Sequence, residues 1–298
     1  MNKSLEVLKS IYKPYKYTIK GKATVLETTS GDFVIKEKNK DINELYNYLI
    51  SRNFNNFPKI IDSSRKDVNV YEYLTSTKMP DEQKCDDLID LISNLHNRTC
   101  YFKEVSEDKY KSIYEDILQN ISYLKNYYNV KYEMYFSEIY MSPSHYLLMR
   151  NFSKIESALE FCEKELDSWY SLVKEETKIR VSVVHNNLEL DHFIKSDQDY
   201  LISWDDYLIE TPVLDIVKLY KKEYERLNFE EALQRYFNNF PLLEHEKKLL
   251  FILIALPPTL ENAKTEFDLC KEIRKKFDYV FKTEKVLRPY YSEDEVVE

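Results

Sequence analysis

Val181-Ser182-Val183-Val184-His185-Asn186-Asn187-Leu188-Glu189-Leu190-Asp191-His192-Phe193-Ile194 passes from a short β-prone run into a polar loop, and His185 closes the run. Downstream, Leu201-Ile202 reads as a second short strand leading into Ser203-Trp204-Asp205, and everything after Pro212 reads as helices. Upstream, Leu159, Phe161, Leu166 and Trp169 mark a helix ending near Lys174, with Ser153 as its expected N-cap. The loop therefore sits between two short strands inside an otherwise helical region.

Further out, Leu88, Leu91, Ile92 and Leu95 share one helical face, and Tyr110 to Tyr128 forms a long amphipathic stretch. The first quarter of the chain is different. Thr24–Thr28 and Phe33–Lys36 are β-prone runs around the turn-rich Thr29-Ser30-Gly31-Asp32, which predicts an antiparallel hairpin. Ile42, Leu45, Tyr46, Leu49 and Ile50 follow at helical spacing after Asp41, a good N-cap, and Val68 to Leu74 reads as a further strand. The expected organisation is α+β and two-lobed: residues 1–75 form a small antiparallel sheet with one helix. Residues 76–298 form a helical lobe carrying the loop 185–194 and the strand end 201–205. The segment Ser292 to Glu298 reads as a frayed acidic tail.

Bulk composition narrows the function. A chain of 298 residues with 43% hydrophobic residues can bury a large core, and a net charge of −9 with pI near 5.3 argues against nucleic acid as the main partner. The only two glycines, Gly21 and Gly31, exclude the glycine-rich Walker and Rossmann phosphate loops. Cys85, Cys100, Cys162 and Cys270 have no paired spacing, which fits reduced structural thiols and a cytosolic setting. Met1 to Tyr17 offers no hydrophobic signal core, and the apolar run Leu249 to Leu256 stops at Pro257-Pro258, too short to span a bilayer. The 26 tyrosines include many at core spacing, such as Tyr46 and Tyr114, so they read first as packing.

A hairpin bearing a Lys, one helix, another strand and then a helical lobe with a His-led loop is the element order of a protein-kinase-like fold. His185-Asn186-Asn187 through Ile194 resembles the catalytic loop of aminoglycoside and choline phosphotransferases, in which His-Gly-Asp is followed five residues after the Asp by Asn. Leu201 to Asp205 resembles that superfamily's metal-binding strand end, and Thr211 to Ile216 its Asp-Pro-x-x-Asp-Leu segment. Leu95-His96-Asn97-Arg98-Thr99 and Ile202 to Asp205 are most similar to the branch of the spore coat protein CotS, and the resemblance covers nearly the whole chain. It implies Lys36 as the phosphate-holding Lys and Glu44 as its helix partner. It further implies His185 as a brace of the loop and Asp215 as its support from below.

The same resemblance exposes departures. The proton-accepting Asp falls on Asn187, the magnesium-binding Asn on His192 and the magnesium-binding Asp on Ser203. An amide does not take up a proton near neutral pH, and losing a positioned general base costs about 10²–10⁴ in rate. Magnesium, a hard cation, prefers carboxylates to Ser and His. Asp191 and Asp205 stand beside the vacant positions as alternative metal ligands.

Three readings follow. The first is a non-catalytic, pseudokinase-like binding or scaffold protein with no expected cofactor and an unidentified protein partner, cytoplasmic or spore-coat associated. The second is an ATP- and magnesium-dependent phosphotransferase acting on a small-molecule alcohol through a relocated metal site. The third is a metal-free nucleotide binder using Lys36 and protonated His192. Two plainer readings also stand: Glu44 capping its helix and Lys36 as a solvent-facing strand end. A zinc site from His185, Glu189 and His192 matches no known ligand spacing.

Overall fold

A computed structural model describes residues 8, 10–106, 108–261 and 263–291; the expected acidic tail, Ser292 to Glu298, lies outside the described residues, as does part of the stretch Met1 to Tyr17. The N-terminal part is a five-stranded antiparallel sheet in the order β1-β2-β3-β5-β4. Its strands are β1 (Lys16–Lys20), β2 (Ala23–Thr28), β3 (Gly31–Glu37), β4 (Ile60–Asp62) and β5 (Val68–Glu72). The expected hairpin is β2–β3, in register from Ala23 opposite Lys36 to Thr28 opposite Gly31. Its turn closes because Thr28 Oγ1 donates to the Gly31 carbonyl at 2.6 Å and Gly31 adopts a φ of 126° that other residues rarely reach. One sheet face buries Leu8, Leu26, Ile35, Val68 and Val70 as a small separate core. The helix α1 (Asn43–Ser51) packs Leu45, Tyr46 and Leu49 into the main core.

The helical part comprises α2 (Asp81–Thr99), α3 (Asp108–Phe136), α4 (Pro143–Val173), α5 (Val213–Glu223), α6 (Phe229–Asn239), α7 (Glu244–Ala255) and α8 (Glu266–Leu287). Two small antiparallel sheets interrupt it. One joins β10 (Leu208–Glu210), β7 (Lys178–Val184) and β6 (Tyr101–Glu104), and the other is the hairpin of β8 (Phe193–Lys195) with β9 (Asp199–Leu201). The run Leu249 to Leu256 lies in and just past α7 and is almost wholly buried. Among the described residues no helix is long and apolar enough to cross a membrane.

Two sequence expectations are corrected. Ser153 is not an N-cap: α4 begins ten residues earlier, where Ser142 Oγ accepts the His145 N–H and Pro143 occupies the first turn. Burial of Leu148 and Phe152 carries the helix through Ser153, which lies on its exposed face. The strand end expected over 201–205 stops short, because β9 ends at Leu201 and a tight 3₁₀ turn covers Trp204–Asp206. The short strands β1, β4, β6 and β10 lacked a sequence signal, since each is an edge strand with little burial to impose alternation.

The β8–β9 hairpin ties the two parts together. Leu201 N–H donates to the Asn56 carbonyl at 2.8 Å, Asn56 Nδ2 to the Asp199 carbonyl at 2.7 Å, and Thr77 N–H to the Lys195 carbonyl at 2.8 Å. These bonds fix the loop 185–194 against the sheet.

Candidate functional site

Asp215 organises the site. The first turn of α5 places it fully buried beneath the loop, where Oδ2 accepts the His185 N–H at 2.9 Å and Oδ1 the Asn186 N–H at 2.7 Å. A buried carboxylate requires such donors, and a third comes from α2: His96 Nε2 lies 3.1 Å from Oδ2. His96 Nδ1 in turn meets the Tyr236 hydroxyl at 2.7 Å, and burial holds that phenol's pKa well above its ordinary value, so the hydroxyl keeps its proton and donates. The chain Tyr236–His96–Asp215 thus ends on two loop N–H groups.

His185 is fully buried at the end of β7, and its Nε2 donates to the Ile202 carbonyl at 2.8 Å. Its Nδ1 is buried without a hydrogen-bond partner, and burial lowers the ring's pKa, so the imidazole is neutral and structural. Asn186 adopts a left-handed φ of 58°, tolerated by Asn, and its Nδ2 donates to the Asp206 carbonyl at 3.0 Å. Farther along, the Leu190 N–H donates to Glu223 Oε1 at 3.0 Å. α5 therefore grips the loop at its start and at its middle.

The positions aligned with chemistry are occupied by other contacts. Asn187 Oδ1 accepts from Lys222 Nζ at 2.7 Å, and the same ammonium donates to Glu189 Oε2 at 2.8 Å. His192 Nδ1 lies 2.7 Å from the Asn187 carbonyl and Nε2 lies 2.9 Å from Glu189 Oε1, so both ring nitrogens face acceptors. Ser203 holds a left-handed φ of 67°, a strained setting for Ser that aims Trp204 inward against His185, with ring centroids 4.9 Å apart. Lys36 Nζ crosses from β3 to form an ion pair with Asp205 Oδ2, both side chains being largely buried.

A cleft of about 850 Å³ lies between the sheet and the loop. Val25, Val34, Lys36, Tyr46 and Tyr71 line it from one side, and Asn187, His192, Ser203 and Asp205 from the other. Burial raises the Tyr71 phenol to about 12 and Tyr46 well above its ordinary value, so this wall presents neutral aromatic surface. Asp191 also lines the cleft and is exposed. Glu44 does not: it is exposed on α1, and Lys36 pairs with Asp205 in its place. Nor does Glu44 cap α1; the Asn43 N–H is satisfied at 3.0 Å by Asp41 Oδ1. Among the described residues no group of three or more His, Cys, Asp or Glu is arranged to hold a metal ion, and His185, Glu189 and His192 form none.

Lys222 and the His96–Tyr236 pair went unread in the sequence. Lys222 follows Asp215 by seven residues, two turns along one helical face, and His96 follows Leu88, Leu91, Ile92 and Leu95 on the apolar side of α2. Those spacings were the available signals.

The architecture is a protein-kinase-like fold. An aminoglycoside phosphotransferase from Alicyclobacillus acidocaldarius superposes with a TM-score of 0.69 at 9% identity, covering 94% of this chain and 93% of that one. The spectinomycin phosphotransferase APH(9)-Ia, solved with ADP and spectinomycin, gives a TM-score of 0.52 at 12% identity over 96% and 99% of the two chains. The choline kinase LicA from Streptococcus pneumoniae is similar over 96% of this chain and 98% of its own, with 16% identity and a TM-score of 0.47. No protein-family model and no curated protein matches the chain. At 9% and 12% identity the first two likenesses show the kinase-like fold.

Proposed function

We propose that this chain is a kinase-fold binding protein that does not transfer phosphoryl groups, its cleft serving to hold a ligand or to present a surface to a protein partner. The observation that carries this reading is Asn187. Phosphoryl transfer in this fold class relies on a positioned carboxylate to receive the acceptor hydroxyl's proton. Here the position holds an amide, and its oxygen accepts from the Lys222 ammonium. A neutral oxygen already bonded to a cation has no basicity to offer.

Magnesium does not fit the side chains present. A hard cation needs carboxylate oxygens, whereas both nitrogens of His192 face protein acceptors and Ser203 brings only a hydroxyl. Asp205 is engaged by Lys36, so a relocated site would first have to break that ion pair. The supports beneath the loop, His185 and Asp215, keep their hydrogen bonds even so. A scaffold retained without its acids supports binding in preference to turnover.

A CotS-like placement, in the cytoplasm or on a spore coat, belongs to the same proposal and rests on Leu95–Thr99 and Ile202–Asp205. Recovery of the protein from purified spores tests it. The biochemical test is thermal shift with ATP, with and without magnesium, alongside phosphate-release measurement; a ligand that binds only the native state must raise its stability. Absence of turnover is expected under both conditions. Magnesium-dependent stabilisation with phosphate release would overturn the proposal.

A further inference from the structure

The turn joining α3 to α4 is poor in charge. About one residue in three of the chain is charged, yet from Met134 to Tyr146 the only Asp, Glu, Lys or Arg is Glu138. That carboxylate is engaged locally by His145, whose Nδ1 lies 2.8 Å away. In place of charge the tip carries large apolar side chains. Ile139 is 90% and Tyr140 92% exposed, and Met134, Phe136 and Tyr146 are each more than half exposed. Folding alone gives no reason to place side chains of this size in water at one end of a helix pair.

The tip is braced, not loose. The His145 ring stacks on buried Tyr135 with centroids 3.6 Å apart, Ser142 Oγ caps α4, and the Ser144 N–H donates to Glu266 Oε1 at 2.7 Å from the first turn of α8. A fixed apolar knob loses little conformational freedom on docking, which favours association.

We infer that this tip is a self-association surface, on which two copies of the chain meet tip to tip about a two-fold axis. Two quantities select a second copy as the occupant. With roughly 150–250 Å² per aromatic side chain and somewhat less for Ile139 and Met134, each scaled by its exposure, the five side chains offer on the order of 600–700 Å² per copy. Two copies together can then bury up to about 1,300 Å² with these side chains alone, at the lower end of the roughly 1,200–2,000 Å² of a stable interface. Charge is the second. A net charge of −9 opposes approach elsewhere on the surface, but a patch with a single carboxylate in thirteen residues, hydrogen-bonded to its own His145, meets its own image with little like-charge repulsion. Anionic lipid would meet that same net charge with no Lys or Arg on the tip to offset it. The inference stands apart from what the cleft binds.

The test is sedimentation velocity on the full chain across micromolar concentrations. A concentration-dependent dimer is expected, and Ile139→Asp or Ile139→Lys should each weaken it at least about tenfold without shifting the thermal midpoint, since residue 139 is solvated. Mixing the Asp and Lys variants should restore dimers, because a two-fold tip contact brings the opposite charges together. A chain that is monomeric throughout overturns the inference, as does a dimer indifferent to both variants. Co-sedimentation of a monomeric chain with phosphatidylcholine vesicles, abolished by Ile139→Asp, would assign the tip to lipid and overturn it too.

Discussion

Replacing Asp215 by Asn removes one charge and keeps the shape, so it isolates what the buried carboxylate contributes. Asp215 accepts from the His185 and Asn186 N–H groups and faces His96 Nε2, at 2.9, 2.7 and 3.1 Å, with no exposure to water. An amide keeps one acceptor oxygen and turns an NH₂ towards at least one of these donors. Hydrogen bonds to a charged group contribute about 1.5–3 kcal/mol each, and leaving a buried donor unmet costs about 1–3 kcal/mol more. The expected loss is about 3–5 kcal/mol, similar to breaking a buried ion pair. At roughly 2–4 °C per kcal/mol for a domain approaching this size, the midpoint should fall by about 6–20 °C. Thermal unfolding measures the total, and hydrogen exchange at the His185 and Asn186 amides localises it, with a rise of about 10²-fold for a local loss near 3 kcal/mol. An Asp215→Asn variant that melts within about 2 °C of the parent and exchanges those amides unchanged would refute the idea that Asp215 holds the loop.

The depressed pKa of His185, caused by burial, makes stability pH-dependent in a defined direction. Below about 6.5 the unfolded chain takes up a proton that the folded ring resists, so this contribution is intact above that pH and is lost progressively as pH falls through the lowered folded value. Urea titrations between pH 7.5 and 5.5 should show a steeper decline for the parent than for His185→Asn, and equal slopes would contradict the assignment. Burial raises the Cys85 and Cys162 thiols to about 12, while Cys100 and Cys270 are partly exposed. Iodoacetamide at pH 8 should therefore label two sites in the native protein and four in denaturant, read by mass spectrometry. Lys36→Met strands the largely buried Asp205 carboxylate and should destabilise the chain by about 1–3 kcal/mol, whereas Lys36→Met with Asp205→Leu should recover most of that loss. Denaturant midpoints of the two variants decide the matter.

The sequence by itself determined the fold class and the identity of the side chains at the loop. The β2–β3 hairpin, α1 and the helical C-terminal region were legible because each has one buried face, and burial writes a period of two or of about 3.6 into the chain. Local order likewise placed Asn187, His192 and Ser203 at the end of a strand or in the loop after it. Tertiary structure decided the partners. Lys36 is 169 residues from Asp205, His96 is 119 from Asp215 and Lys222 is 35 from Asn187, and no periodicity encodes which distant charge a side chain will meet. Edge strands and the start of α4 were likewise set by packing against neighbours. An element's type is largely a local property of backbone and burial pattern, but hydrogen-bond and ion-pair partners exist only once the chain has closed on itself. The amide at position 187 was therefore readable at once, whereas its capture by an ammonium two helical turns beyond Asp215 required the folded chain.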